Sequence, residues 1–361
     1  AMELNLDKLD FRIKNAAHGG DRMVNGKSWP SLGLSECLKA LKHHPSWVDR
    51  KTGENEGWGM AVGLWPSGVS PASAICKILA DGSVQVQVGS VDISGINSGF
   101  VQIVSEVLSI DPSQVEIIQL DSKMSPAAPP SGGSQVTYSV AGPIRKASEI
   151  VKDQLADFAA EHFEASKEDL VFENGSIYVS GNPSQSVSLG NLAKKAEGEK
   201  GGNGPIIASA SESLHNNAPA ASVHAVRVKV DVETGVVTPL QYIAIQDVGF
   251  AINPMLIEGQ MHGGVLQGLG WALWEEMPFD QHGQPLATNF MDYPIPRSQE
   301  GFHLECVLIE NPSPEGPYGI RGVGEPPIVP GAAAVANAVS EATGIRCNNL
   351  PIRSQDLWSS I

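Results

Sequence analysis

Three short segments of this chain combine residue types and spacings that could do chemistry. Glu325 lies in Gly322-Val323-Gly324-Glu325-Pro326-Pro327, a glycine-framed turn followed by two prolines. Proline is tolerated at the first positions of a helix, so this spacing predicts a helix opening there and running over Ile328–Ala342. A carboxylate at such a start feels the positive end of the helix dipole, which favours its ionised form. An ionised, pinned carboxylate is what a general base requires. A charge that merely stabilises the helix would look the same, and on the residues alone that plainer reading is the stronger. Gln260 stands in Glu258-Gly259-Gln260-Met261-His262-Gly263-Gly264-Val265-Leu266-Gln267-Gly268, inside a helix expected from about Ile257 to Glu276. Gln260, Gly264 and Gln267 fall at i, i+4 and i+7, giving one face that is small and polar. Each helical glycine costs about 1 kcal/mol relative to alanine, so something approaches that face closely. Either a neighbouring helix or a polar ligand held by Gln260 would do, and both stay open. Ser131-Gly132-Gly133-Ser134, followed by Gln135, precedes a helix expected to reach Phe163. Helix N-termini offer unpaired N–H groups to an anion such as a pyrophosphate, and glycine lets the backbone come near it. Serine and glycine also make ordinary caps and turns, again the stronger reading for these residues alone.

The elements that must position these segments occur as one pattern written twice. In the first copy Ala74–Leu79 reads as a strand, Asp81-Gly82 as a hairpin turn and Val84–Val88 as the return strand. A polar loop, a helix over about Gly99–Leu108, a strand at Val115–Leu120, the Ser131–Ser134 loop and the long helix follow. The second copy runs strand Val223–Val232, turn Glu233-Thr234-Gly235, strand Val236–Ile245, loop Gln246–Gly249, helix, strand His303–Ile309, Gly-rich loop and helix. The order matches in both halves, which predicts an α+β fold made of duplicated hairpin–helix–strand–helix units. A duplication of this kind is expected to gather equivalent loops around a pseudo-two-fold axis. The expected division is a helical segment over 1–60, a first unit over 61–170, a hairpin-and-linker excursion over 171–220 and a second unit over 221–361. Leu4 to about Lys42 is expected to be largely helical. Within the excursion, Asn174-Gly175 predicts a hairpin, Leu189–Ala196 a short helix and Glu197–Pro205 a mobile linker.

Bulk properties narrow the function. With 361 residues the chain can bury a substantial core, and its 42% hydrophobic and 18% charged residues are those of an ordinary globular protein. A formal net charge of −16 argues against a nucleic-acid partner, because phosphate backbones need a basic footprint. No apolar run is long enough to span a bilayer. Cys37, Cys76, Cys306 and Cys347 lie far apart without a CxxC pair, so they do not form a zinc or iron–sulfur site by spacing. Reduced thiols in a cytoplasmic protein are expected instead. The nine histidines lack ligand spacing, and His43-His44 is expected to be a surface pair, so no metal-ligating side chains are expected. Ala1-Met2 reads as a start or cloning remnant, and the chain is expected to be a piece of a longer one.

Taken together the segments resemble the molybdenum hydroxylases, the xanthine dehydrogenase/aldehyde oxidase family. Gly322–Pro327 matches the family's GVGEPP motif, whose glutamate is the catalytic base. Asp247-Val248-Gly249, Asn253-Pro254, Glu258-Gly259-Gln260 and Gln267-Gly268-Leu269-Gly270 match its DxG…NP…EGQ…QGxG block. Asp10-Phe11-Arg12-Ile13-Lys14-Asn15 resembles its EFRxKN segment, and Leu350-Pro351-Ile352 its C-terminal segment. By that resemblance Glu325 is the base and Gln260 contacts the molybdenum centre, while Gly132, Gly133, Ser134 and Gln135 hold the pterin and its phosphate arm. A gapless match puts Asp92-Ile93-Ser94-Gly95 where family loops read DIGTG or MGQG, which implies pterin contacts from Ser94 and Gly95 in a loop missing one glycine. The family's GGGFGGK-type loop and substrate pocket are not in this chain. The resemblance further implies hydroxylation of an aldehyde or N-heterocycle by a molybdenum–molybdopterin cofactor, with or without a cytosine nucleotide. Iron–sulfur clusters and FAD would sit on other domains or subunits, in an assembly such as a dimer of heterotrimers. The other reading is an inert structural half that binds no cofactor without its missing lobe and partner subunits.

Overall fold

The computed structural model describes residues 1–198 and 204–361. In chain order its helices and strands are α1 (Lys8–Lys14), α2 (Leu34–His43), α3 (Pro45–Val48), β1 (Glu56–Trp65), β2 (Ala72–Ile78) and β3 (Val84–Val88). Next come α4 (Ile96–Leu108), β4 (Val115–Gln119), α5 (Val136–Phe163), β5 (Leu170–Glu173), β6 (Ser176–Val179), β7 (Ser186–Ser188), α6 (Leu189–Gly198) and β8 (Ile207–Glu212). The chain ends with β9 (Ala220–Val230), β10 (Val237–Asp247), α7 (Pro254–Leu273), β11 (His303–Ile309), α8 (Gly331–Thr343) and α9 (Ser354–Trp358). Two compact units emerge: a first of residues 1–67, 218–314 and 318–361, and a second of 68–217 and 315–317.

In the first unit the strands lie in the order β1-β9-β10-β11, antiparallel except for the parallel pair β10–β11. Strand side chains alternate between faces, so the sheet can bury both. Ala221, Val223, Ala225, Ile243 and Ile245 pack with Leu34, Leu38 and Leu41 of α2. Val226, Val228, Val230, Tyr242 and Ala244 pack with Met261, Val265 and Leu269 of α7 and Ala334, Val335 and Ala338 of α8. Small residues on β1 bring α8 very near. A Cβ at Gly59 would be driven into the Ala334 carbonyl oxygen, so this strand position has room for glycine alone.

In the second unit the order is β4-β3-β2-β8, again antiparallel except for one parallel pair, β3–β4. Hairpin, helix, parallel strand and helix therefore recur with the same pairing sense in both units, as the sequence pattern predicts. A smaller sheet, β5-β6-β7, forms around the expected Asn-Gly turn, where Asn174 and Gly175 have φ of +48° and +74°. Both central residues at positive φ is the turn geometry that suits the twist of a hairpin.

Several expectations change. Residues 1–67 do not stand apart as a helical segment but join the first unit, because β1 pairs with β9 and α2 packs on β9 and β10. Residues 171–217 belong with the second unit, and β8 extends its sheet through β2. Between Leu4 and Lys42 helix is confined to α1 and α2, plus one 3-10 residue at Leu4. The intervening stretch contains Gly19-Gly20 and Pro30 and forms only an isolated bridge, Arg22 to Ser28. Of the linker expected over Glu197–Pro205, residues 199–203 lie outside the described residues. His43 is exposed, but the His44 side chain is only 13% exposed and sits 3.8 Å from the Glu305 carboxylate, so the two are not a surface pair. All four cysteines are free thiols, and burial pushes the Cys76 thiol up to about 11. Among the described residues no helix is long and apolar enough to cross a membrane, and no side-chain cluster forms a metal site.

Candidate functional site

In the first unit the site is built on the end of β10. Asp247, its last residue, is fully buried and forms an ion pair with Arg321, Nε to Oδ2 3.0 Å, with both side chains wholly out of solvent. The Gly33 amide donates to Asp247 Oδ2 at 2.9 Å and the Gly249 amide to Oδ1 at 3.1 Å. Burial pushes this carboxyl above its ordinary range, opposed by Arg321, by those two amides and by the side-chain amide of Asn311. Arg321 spends its other donors on the carbonyls of Ser31 at 3.0 Å, Pro219 at 2.8 Å and Asn311 at 3.0 Å, and on the Ser31 hydroxyl at 3.1 Å. A buried pair this fully bonded ties five chain segments to one point. Gly249, at φ +70°, completes the closure, since a Cβ there would run into the Gly319 carbonyl oxygen.

Arg321 is also the stem of the Gly322–Pro327 turn, and sequence reasoning did not single it out. The signal available was one arginine inside an otherwise apolar and glycine stretch, Tyr318-Gly319-Ile320-Arg321-Gly322-Val323. Two side-chain amides then fix the turn itself. Gln246 Nε2 faces the Val323 carbonyl at 3.4 Å, and Gln260 Nε2 donates to the Gly324 carbonyl at 3.1 Å. Glu325 follows directly, half-buried, with its own carbonyl accepting from the Ile328 amide at 3.1 Å.

The expectation that Glu325 sits at a helix start is corrected. Residues 326–330 form successive turns, and α8 begins at Gly331 with Pro330 as its cap residue. Pro326 and Pro327 are therefore not its first helical positions, and the helix dipole, which fades within a turn, does not reach Glu325. The turn before Glu325 is held by the amides of Gln246 and Gln260 on two backbone carbonyls, not by a helix end.

On α7 the glycines divide into packed and open positions. Gly264 and Gly268 are packing positions: a Cβ on the first would come 2.6 Å from Pro327 Cβ, and on the second 3.0 Å from Gly331 Cα. Gly259 and Gly263 have nothing within 4 Å of a built Cβ and ordinary φ. Their cost in helix stability has no packing return among the described residues. Gln267 is exposed.

In the second unit Ser94 and Gly95 form a left-handed pair, φ +62° and +71°, at the mouth of α4. The Asp92 carboxylate accepts from the Asn97 amide at 3.2 Å across that turn. Gly133 and Ser134 form a second left-handed pair, φ +75° and +56°, at the mouth of α5. Gln135 braces this loop from inside, donating to the Gly132 carbonyl at 2.9 Å and accepting from Ser70 Oγ at 2.8 Å. Gln135 is the residue preceding the first turn of α5 and makes no side-chain cap. A built Cβ at Gly132 meets nothing within 4 Å, and its φ is ordinary. Neither strain nor packing inside the unit asks for glycine there.

Unexplained glycines test whether these residues suit a pterin cofactor. Gly132 in one unit and Gly259 and Gly263 in the other keep bare backbone facing open space. Close approach of an external group would require that, so the residues fit.

The family described as molybdopterin cofactor-binding domain matches residues 38–301. The putative xanthine dehydrogenase molybdenum-binding subunit of Escherichia coli is 33% identical over 99% of this chain and 50% of its own length. The 6-hydroxypseudooxynicotine dehydrogenase complex subunit gamma of Paenarthrobacter nicotinovorans is 31% identical over 99% of this chain and 48% of its own. Among solved structures, quinoline 2-oxidoreductase from Pseudomonas putida superposes with a TM-score of 0.86 at 26% identity, over 100% of this chain and 50% of that one. The chain thus spans about half the length of the curated relatives it matches.

Proposed function

This chain belongs to the molybdopterin cofactor-binding domain family, and from that premise we propose that it is part of a molybdenum-dependent hydroxylase in which Glu325 is the catalytic base. Its substrate class is an aldehyde or an N-heterocycle, attacked at an electron-poor carbon by a hydroxyl derived from water. When bound, the molybdenum–pterin group, with or without a cytosine nucleotide, supplies the two-electron acceptor for that oxidation. In the second unit Gly132, Gly133, Ser134 and Gln135, with Ser94 and Gly95, would hold the pterin and its phosphate arm. In the first unit Gln260 would face the metal end while its amide holds the Gly324 carbonyl. Glu325 takes the proton of the attacking hydroxyl and later yields it to solvent. Iron–sulfur and flavin groups on other domains or subunits would carry the electrons onward, in an assembly such as a dimer of heterotrimers. Four free thiols suit a cytoplasmic enzyme.

The observation that carries this reading is the pair of side-chain amides on the carbonyls of Val323 and Gly324, which fix the backbone that leads into Glu325. A general base works only when its carboxylate is placed before the substrate arrives. Glu325→Gln in the complete enzyme is expected to keep its molybdenum content and to lose turnover by about 10²–10⁴-fold. Near-normal kcat in that variant would rule the base role out. A second reading is an inert structural half that binds no cofactor without its missing lobe and partner subunits. Molybdenum analysis of the chain with and without the missing lobe separates the two.

A further inference from the structure

The sheet face of the first unit that meets α7 and α8 is apolar apart from one patch. Ser222, His224 and Gln246 lie on it with Val226, Tyr242 and Ala244, and all three are fully buried. Register makes them neighbours: Gln246 pairs with Ser222, and Ala244 with His224. Each carries one atom with no hydrogen-bond partner among the described residues, namely Ser222 Oγ, His224 Nε2 and Gln246 Oε1. The other end of each polar side chain that has one is engaged: His224 Nδ1 lies 2.9 Å from the Tyr242 hydroxyl, and the Gln246 amide nitrogen faces the Val323 carbonyl. The segment leading from Glu325 to α8 crosses this patch, since a Cβ on Gly63, which pairs with Ser222, would come 2.9 Å from Val329.

Three unpaired polar atoms in one buried spot are costly, roughly 1–3 kcal/mol each, and native interiors resolve such clusters with internal water. The chemistry of the three is complementary. A neutral imidazole can donate or accept at Nε2, the serine hydroxyl can do both, and Gln246 Oε1 only accepts. Burial pushes the imidazole down to about 3, so it is neutral at working pH. A water accepting from one and donating to the others makes about three bonds, the usual number for an internal water.

We propose that one or two ordered waters bridge Ser222 Oγ, His224 Nε2 and Gln246 Oε1, and that this hydrated cluster makes Gln246 a positioning residue for Glu325. Water held on Oε1 fixes the plane of the Gln246 amide, and that plane sets where the Val323 carbonyl, and the turn after it, can sit. The second half of the proposal rests on Glu325 being the base; the first half does not.

Ser222→Ala in the complete enzyme separates a wet patch from a dry one by the sign of its effect. Losing a water-bonded hydroxyl lowers the melting temperature by about 2 °C, whereas losing a buried unsatisfied hydroxyl raises it. A high-resolution crystal structure is expected to contain water density within hydrogen-bond distance of all three atoms. An unchanged or higher melting temperature, or a dry patch, overturns the proposal. Gln246→Met keeps the volume and removes both amide ends. It is expected to lower kcat roughly tenfold or more at unchanged KM, and unchanged kcat overturns the positioning role. Turnover surviving Glu325→Gln would defeat the base reading alone, because the water density and the melting shift do not depend on it.

Discussion

At the end of β10 the chain turns around a buried ion pair, whereas at the end of β3, the equivalent point in the other unit, it turns in the open. Asp247 and Arg321 have no exposed side-chain surface, and Gly249 leaves no room for a methyl group. After β3, Val91 and Ile93 are 54% and 55% exposed. The final loops differ in the same way. The Gly322–Pro327 turn hangs from Arg321 and the amides of Gln246 and Gln260, while the Ser131–Ser134 loop leaves Gly132 facing nothing. One topology therefore carries two kinds of loop end, one closed on a buried ion pair and one braced by Gln135 yet with open space beside Gly132 among the described residues. A group that must be aimed benefits from the first, and a surface that must admit a ligand's backbone contact from the second.

Substitutions that strike each kind of loop should separate them. Arg321→Met leaves Asp247 buried without its partner, which is expected to cost about 3–5 kcal/mol in chemical denaturation. Pairing it with Asp247→Leu should recover much of that loss, and a cost that stays additive would contradict the account of the pair. Gly249→Ala adds a methyl group at positive φ against the Gly319 carbonyl and should cost about 1–3 kcal/mol by the same measurement. His224 sharpens the contrast through pH. Its folded value is down at about 3 because burial disfavours the charged ring, while the unfolded value is ordinary. Between those values the unfolded chain binds the proton and the folded one does not, so stability falls as pH falls from about 6.5 toward about 3. The slope from this group is about 1.4 kcal/mol per pH unit, and in His224→Gln that share of the slope should vanish. Gly132→Ala should change stability by less than about 0.5 kcal/mol, because the methyl group meets nothing. Its expected effect is on pterin content of the purified enzyme; full cofactor loading would show that the bare backbone there serves no ligand.

Much of the fold was legible because its signals are local. Asp81-Gly82 and Asn174-Gly175 mark hairpin turns by residue type alone, and Val84–Val88 and His303–Ile309 emerge as strands over the expected residues. The long helix through Ile144, Ala147, Val151, Leu155 and Phe158 appears with those side chains buried, Phe158 at 6% and the others at 0% exposure. Pro326-Pro327 misled for an equally local reason. Two prolines suit a helix start, but they suit a chain of turns as well, and α8 begins only at Gly331, where the chain packs against Gly268 of α7. The five glycines of α7 divide likewise into packing positions, against Pro327, Gly331 and Glu275, and bare ones at 259 and 263 only through tertiary contacts.

What the sequence by itself determined was the repeated order of elements, the turns and the identity of the residues worth testing, since each depends on neighbours a few positions away. Tertiary structure alone decided that Arg321 finds Asp247 across 74 residues and that residues 1–67 complete the sheet of the C-terminal half. It also decided that the two residues before Glu325 are held by glutamines from β10 and α7. Those outcomes turn on burial, and a charge or an amide is locked in place only when the fold has removed the water that would otherwise satisfy it.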